Sequence, residues 1–429
     1  MKVLIIGGGG REHALAWKLA RSVRVERVYV APGNAGTARE PGVENIDIAV
    51  SDLEALLSFA LSEGVGLTIV GPEAPLVEGV VDRFREAGLT IFGPTRGAAQ
   101  LEGSKSFTKD FLARHAIPSA TYRTFTEVAP ALEYLAEQGV PIVVKADGLA
   151  AGKGVIVATT EAQAEAAIRD MLESNAFGAA GARVVIEEFL EGEEASFIVM
   201  VDGHSVLPMA TSQDHKRVGD GDVGPNTGGM GAYSPAPVVT EEIHARIMER
   251  VILPTVRGMA EEGHVYTGFL YAGLMIDSAG HPRVIEFNCR FGDPETQPIM
   301  LRLTSDLAEL CLAGARSELA GLTCDWDPRA AVGVVMAAGG YPGSYRKGDV
   351  IEGLEAAEAA GCKVFHAGTE QEEGRVVTSG GRVLCVTALG EDVAAARDMA
   401  YRGVAEISWP DALYRRDIAF RAIARAGGL

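Results

Sequence analysis

Two oxygen-bearing side chains set two residues apart, Glu286 and Asn288, offer the plainest chemistry in this sequence. They lie in the run 284–288. If that run is a strand, its period of two puts both on one face and Phe287 on the other. A carboxylate beside an amide oxygen suits a hard divalent cation of the Mg²⁺ type, which takes oxygen ligands and keeps phosphates as its others. Arg290 and Asp293 follow at once. A core strand running into a loop could also place these residues by chance, and the local sequence leaves both readings open. Cys289 has no histidine near it in sequence, so it reads as a packed thiol.

A second cluster runs from Lys145 through Gly148, Gly152 and Lys153 to Gly154. It is not a Walker A loop: only three residues separate Gly148 from Gly152, and Gly154 stands where Ser or Thr is required. The runs 142–145 and 155–158 on either side look like strands. The segment therefore reads as a hairpin flap over phosphates, with Lys145 and Lys153 neutralising charge, or as a plain hairpin. The acidic stretch 187–194 begins where an apolar run ends. It is either a solvated turn or a hinge whose backbone pairs with an adenine edge while a carboxylate holds ribose hydroxyls. Ser212 to Arg217, followed by the glycine-rich stretch 224–231, reads as a binding loop. His215 within it reads as an ordinary surface or hydrogen-bonded histidine.

The elements that must hold these residues follow from the apolar pattern. Runs at 3–6, 25–30, 67–70 and 90–92 alternate with helical segments from about 11, near 52–62 and up to about 87, which predicts a parallel α/β sheet. Glycine- or proline-rich loops at 7–10, 33–36 and 71–75 follow successive strands. Such loops converge at one edge of the sheet, where ligands bind. The first lacks the third glycine of a dinucleotide fingerprint, since Glu12 stands there. The second strand ends without a ribose-binding acid, so a nicotinamide cofactor is not expected. Further on, hairpin patterns, a helix over about 241–261 and a strand pair 268–276 and 284–288 precede an α+β tail. The tail carries strands at 331–338, 364–367, 376–378 and 383–389.

Composition narrows the class. At about 150 residues per domain, 429 residues suggest roughly three units. A hydrophobic content of 47% and mean hydropathy of +0.12 describe a packed globular chain. The net charge of −19, with no long basic run, argues against nucleic acid as a partner. Five cysteines without a C-x-x-C indicate neither a disulfide framework nor a zinc site. No signal-peptide core and no run of about 18 apolar residues is present, so a cytoplasmic protein without a membrane partner is expected.

Taken together, the segments 7–19, 31–36, 71–79, 145–155, 212–237 and 284–298 resemble the ATP-grasp superfamily. Within it they resemble the purine-biosynthesis branch that joins glycine to 5-phosphoribosylamine. The last two segments are long and specific, and the resemblance spans essentially the whole chain. It implies an N-terminal α/β substrate-binding domain (1–102) and a central ATP-grasp domain (103–125 and 190–325). It also implies a lid (126–189) and a small C-terminal α+β domain (326–429), the whole acting as a monomer. It further implies ATP, with Mg²⁺ or Mn²⁺ held by Glu286 and Asn288. Lys105 and Lys145 would contact ATP, and Gly148, Gly152, Lys153 and Gly154 would close over its phosphates. Glu187, Glu188, Phe189 and Leu190 would read adenine, and Glu194 would hold the ribose. Gly9, Gly10, Asn34, Gly36 and Glu73 would face phosphoribosylamine, with Asp214, Lys216 and Asn226 completing the substrate set. Lys145 and Arg290 would neutralise the transferring phosphoryl group, Asp214 would take the glycine ammonium, and Asp293 would orient groups around the acyl phosphate. In one respect the sequence departs from the pattern. Many such enzymes add an acidic metal ligand from the preceding strand, but 268–276 has none, and Asp277 comes only at its end. The competing readings are a related ligase using bicarbonate or formate, a dinucleotide-binding oxidoreductase, and a non-catalytic binding protein.

Overall fold

The computed structural model describes residues 1–149, 154–173 and 182–427. The continuous apolar run of Lys2–Gly7 is buried along five of its six residues, as a central parallel strand requires. It lies in a five-stranded parallel sheet in the order Val43–Asn45, Arg27–Pro32, Lys2–Gly7, Leu67–Val70, Ile91–Phe92. The expected helix up to about 87 is two helices, Glu73–Glu78 and Val80–Glu86, because Gly79 turns between them at φ +94°.

A small antiparallel sheet follows, ordered Tyr122–Phe125, Val184–Glu188, Ile142–Ala146, Val155–Ala158. Helices Val128–Gln138 and Glu161–Leu172 supply the other half of its core, with Ala131, Leu135, Ala164 and Ile168 buried against it. A larger antiparallel sheet is ordered Val206–Pro208, Glu193–Asp202, Thr267–Ile276, Pro282–Asn288. The helix expected over 241–261 is continuous but widens into a π-helical turn at Met248–Ile252, just before Pro254. Proline has no N–H to donate, and the wider turn absorbs the misfit.

The last sheet joins distant parts of the chain. Its order is Gln213–Asp214, Gly231–Ser234, Ala330–Ala337, Arg382–Gly390, Lys363–His366. The glycine-rich stretch expected as a loop therefore carries strands. Two of them join the C-terminal sheet, Gln213–Asp214 as its edge and Gly231–Ser234 next to it, and Arg217–Gly219 pairs with Val223–Asn226 as a separate hairpin. All five cysteines are free thiols. Among the described residues no helix is long and apolar enough to cross a membrane.

Candidate active site

The strand Pro282–Asn288 positions the site. Phe287 is buried while Glu286 and Asn288, on the other face, border a cavity of about 740 Å³ between the small and the large antiparallel sheets. Its register slips opposite Gly273 and Leu274, which leaves Ile285 as the extra residue of a β-bulge. The freed Ile285 carbonyl accepts from Lys145 Nζ at 3.0 Å. Lys145 comes from the small sheet, so the bulge ties the two sheets together at the cavity wall.

The cavity gathers most of the residues expected to act. Lys105, Lys145, Gly154, the hinge residues Glu187, Glu188, Phe189 and Leu190, Glu194, Asp214, Lys216, Asn226, Glu286, Asn288, Arg290, Asp293 and Glu73 all line it. Lys105 donates to the Gly148 carbonyl at 2.9 Å, at the start of a helix whose N-terminus is held by Asp147. Gly152 and Lys153 lie outside the described residues. Glu188 is turned away from the cavity centre into a two-pronged pair with Arg283, at 2.7 and 3.1 Å, which holds its carboxyl down at about 2. That leaves the hinge its backbone groups and Phe189, which is 36% exposed.

The charges are arranged in a definite order. Burial pushes Glu286 up, but Lys216, Lys145, Lys105 and Arg290 outweigh it and keep the carboxylate ionised. Each of those cations is paired elsewhere. Lys216 sits between Asp214 (3.1 Å) and Glu194 (3.3 Å), and Lys145 is 3.0 Å from Glu187. Arg290 joins Glu102 (2.9 Å) and Glu73 (3.3 Å), and Lys105 is on Gly148. Burial lowers the Lys216 ammonium, yet Asp214 and Glu194 raise it well above its usual range. Burial lifts Glu295 to about 7, with Asp214 adding to the effect and a hydrogen bond from Ser196 opposing it. Asn288 Oδ1 accepts from Arg290 Nη2 at 3.1 Å and keeps its second lone pair. Ionised, unbridged Glu286 beside an amide oxygen fits a hard cation. Among the described residues no three or more His, Cys, Asp or Glu converge as a metal cluster, so phosphate or water oxygens would complete such a site. Asp277 is not part of it: it is a half-buried turn residue accepting from Ala279 N and His281 N.

At the sheet edge of the N-terminal domain the first glycine loop closes on a side chain of its own helix. The Glu12 carboxylate accepts from Gly9 N at 2.6 Å, and the side chain fills the space beneath Gly7 and Gly71, whose Cβ atoms would fall 2.4 Å from its Cγ and 2.0 Å from its Oε1. The helix Gly10–Leu19 thus meets an anion of its own chain at its N-terminus. Asn34 spends its amide internally. Its Nδ2 donates to Gly8 O and His366 O, and its Oδ1 accepts from Gly36 N and Thr37 N. A Cβ at Gly36 would lie 2.5 Å from both His13 and His366. Gly9, Gly10, Asn34 and Gly36 are not among the cavity-lining residues, although Cβ atoms on Gly9 and Gly10 would stand 3.8 Å from the Asp293 carboxylate.

Several cavity residues escaped the sequence reading. Arg382, from the C-terminal sheet, donates to Gly228 O (2.7 Å), Asp293 O (2.8 Å) and Asp293 Oδ2 (3.0 Å). It counters the burial of Asp293 and keeps that carboxyl ionised. Nothing near position 382 signals this. Arg11, Glu102 and Glu295 were findable, since Arg11 and Glu295 fall inside the quoted motifs and Glu102 sits three residues before Lys105. Lys109 was also findable, one helical turn beyond Lys105. His215 is buried, with its Nε2 accepting from Ala419 N at 2.9 Å, the hydrogen-bonded residue expected.

Two antiparallel sheets closing on a cavity lined by cations and an ionised Glu-x-Asn pair define an ATP-grasp, carboxylate-activating ligase. The chain belongs to the phosphoribosylglycinamide synthetase family: the N-domain model matches residues 1–102, the ATP-grasp (A) domain model 103–296 and the C-domain model 331–421. It is 71% identical over 426 residues to phosphoribosylamine–glycine ligase of Escherichia coli K12, covering 99% of each chain. It is also 71% identical over 428 residues to the ligase of that name from Pseudomonas aeruginosa, covering 100% of each. The crystal structure of phosphoribosylamine–glycine ligase from Thermotoga maritima superposes with a TM-score of 0.84 at 33% identity, over 98% of this chain and 100% of that one. A biotin carboxylase from Campylobacter jejuni shares the fold at a TM-score of 0.73 and 15% identity, over 96% and 92% of the two chains.

Proposed function

We infer that this chain joins glycine to 5-phosphoribosylamine at the expense of ATP, giving glycinamide ribonucleotide, ADP and phosphate in purine biosynthesis. The observation that carries the reading is the convergence of Lys105, Lys145, Lys216, Arg290, Glu286 and Asn288 on one cavity, in a chain 71% identical to ligases of that name. A carboxylate is a poor acyl donor. Phosphorylation by ATP converts it to glycyl phosphate, and the phosphoribosylamine nitrogen then attacks the acyl carbon, releasing phosphate and a proton.

The chain's own groups are suited to each task. The backbone of 187–190 would read adenine, and Glu194 the ribose. Lys105, Lys145 and Arg290 would neutralise and position the phosphoryl groups, with the flap residues Gly148, Gly152, Lys153 and Gly154 covering them. Phosphoryl transfer needs positioning and charge compensation more than covalent help. Glu286 and Asn288 would hold Mg²⁺, or Mn²⁺ by the same oxygen preference, which when bound supplies charge to the phosphates. Asp214 has one oxygen on Lys216 and the other to offer the glycine ammonium. Asp293, held by Arg382 and Gln297, would orient groups around the acyl phosphate. Gly9, Gly10, Asn34, Gly36 and Glu73 would frame phosphoribosylamine, with Asn226 at the opposite loop.

The test is ADP release with glycine and freshly generated phosphoribosylamine, with hydroxylamine added to trap the acyl phosphate. ADP release that requires bicarbonate or formate and ignores glycine overturns the reading. Glu286→Gln is expected to lower kcat by ~10²-fold or more. Near-normal turnover at saturating Mg²⁺ would remove Glu286 from the metal.

A further inference from the structure

Lys109 is a buried lysine that none of the steps above uses. It lies four residues after Lys105 on the helix Lys105–Arg114, so both ammonium groups share the face turned to the cavity. Lys109 is 3% exposed, and its Nζ is 2.8 Å from Glu187 Oε2. The other oxygen of the same carboxylate is 3.0 Å from Lys145 Nζ, and Lys145 is 4% exposed. One buried carboxylate is therefore divided between two lysines, of which Lys145 also bonds directly to the strand carrying Glu286 and Asn288, at the Ile285 carbonyl. Lys109 is fixed from behind as well. It donates to Ser119 Oγ at 2.7 Å, and Ser119 donates to the Val284 carbonyl on the metal-site strand.

We propose that Lys109 is a positioning residue for ATP: by taking one oxygen of Glu187 it leaves Lys145 only the other, so that the Lys145 ammonium, with Ile285 O as its second partner, keeps its third N–H for nucleotide phosphate. The inference rests on the assignment of Lys145 to ATP. With both lysines charged the trio carries net +1, a favourable field for a polyphosphate. Without Lys109 the net charge is zero, and the whole of Glu187 faces Lys145. Burial pulls the Lys109 ammonium down to about 8 despite Glu187, as a charge placed in a dry site for a structural purpose would be. The geometry thus makes Lys109 act through Lys145 and not through contact with substrate.

The experiment is equilibrium binding of ATP, alongside steady-state kinetics, for Lys109→Met, Lys145→Met, Glu187→Gln and the pairs. Lys109→Met is expected to weaken ATP binding about tenfold, with the KM for glycine unchanged. Lys109→Arg is expected to recover most of the loss. In a Lys145→Met background, Lys109→Met should cost no further ATP affinity, and Glu187→Gln should restore affinity to Lys109→Met. Equal losses from Lys109→Met with and without Lys145 would overturn the proposal, because Lys109 would then act independently. Unchanged ATP affinity in Lys145→Met would instead overturn the assignment of Lys145 itself. Should Lys109→Met fail to fold, Lys109→Gln together with Glu187→Gln keeps the trio at its net +1, and it must bind ATP better than the neutral trio of Lys109→Gln alone.

Discussion

Replacing Arg382 with alanine tests how far the C-terminal sheet builds the active site. The guanidinium makes three hydrogen bonds to carbonyls, at Gly228 (2.7 Å), Asp293 (2.8 Å) and Gly229 (3.4 Å), and an ion pair to Asp293 Oδ2 at 3.0 Å. Breaking a fully buried pair from one side costs about 3–5 kcal/mol, because the remaining charge is stranded. Here the two side chains keep 21% and 17% exposure, and Gln297 Nε2 still donates to Asp293 Oδ1 at 2.9 Å. Water in the cavity and that second donor place the loss near the bottom of the range, at about 3 kcal/mol. Arg382→Lys supplies a point charge without the fork, so it should recover about half of it. Asp293→Asn in the Arg382→Ala background removes the stranded charge and should restore stability without restoring turnover. Urea unfolding followed by far-UV circular dichroism gives the midpoints, and ADP release gives the turnover. An Arg382→Ala midpoint equal to that of the unmodified protein would refute the argument. So would a double variant no more stable than the single one.

Other perturbations test the interface between the N- and C-terminal sheets. Gly36→Ala would set a Cβ 2.5 Å from His13 and His366, where neither ring has room to retreat, so a loss of about 2 kcal/mol is expected. An unchanged thermal midpoint would show that the rings do give way. Burial raises the Glu40 carboxyl, but hydrogen bonds from His13 and Lys363 outweigh it and hold the group at about 2. A depressed carboxyl contributes stability that is present above its unfolded value near 4.5 and is lost as pH falls toward 2. The contribution is on the order of 3 kcal/mol. In Glu40→Gln the acid limb of stability against pH should flatten between pH 5 and 2; a limb as steep as before would assign the acid sensitivity elsewhere.

How much of this was legible in sequence depended on how local each signal is. The parallel strands announced themselves as short apolar runs, and the period of two correctly put Glu286 and Asn288 on one face. The bulge at Ile285 was not legible, because it depends on the register of the partner strand. The strands within 212–234 are two to four residues long, rich in glycine and without apolar alternation, so nothing local distinguishes them from loop. Gly231–Ser234 takes its place from Ala330–Ala337, about a hundred residues away, and Gln213–Asp214 takes its place from Gly231–Ser234. Arg382 was invisible for the same reason: its partners are 89 and 154 positions back along the chain. Glu12 was noticed only as a missing glycine. Its actual part, as a carboxylate occupying the helix N-terminus, required knowing how the three loops close around it.

The sheet that pairs Gly231–Ser234 with Ala330–Ala337 also sets an order of events during synthesis. The N-terminal sheet is closed among residues 2–92 and can form as soon as they emerge from the ribosome. The segment bearing Asp214 and Lys216 has no such independence. Its strand Gln213–Asp214 pairs with Gly231–Ser234, which waits for Ala330–Ala337 about a hundred residues later, His215 waits for Ala419, and the Asp222 carboxylate waits for Arg415 and Arg421. Contacts so far apart in sequence are slow to form because the intervening chain must close first. The wall of the cavity that carries Asp214 and Lys216 is therefore completed only after the C-terminal sheet has been made. A nascent chain could hold a folded N-terminal sheet before the wall of the cavity that carries Asp214 and Lys216 was in place.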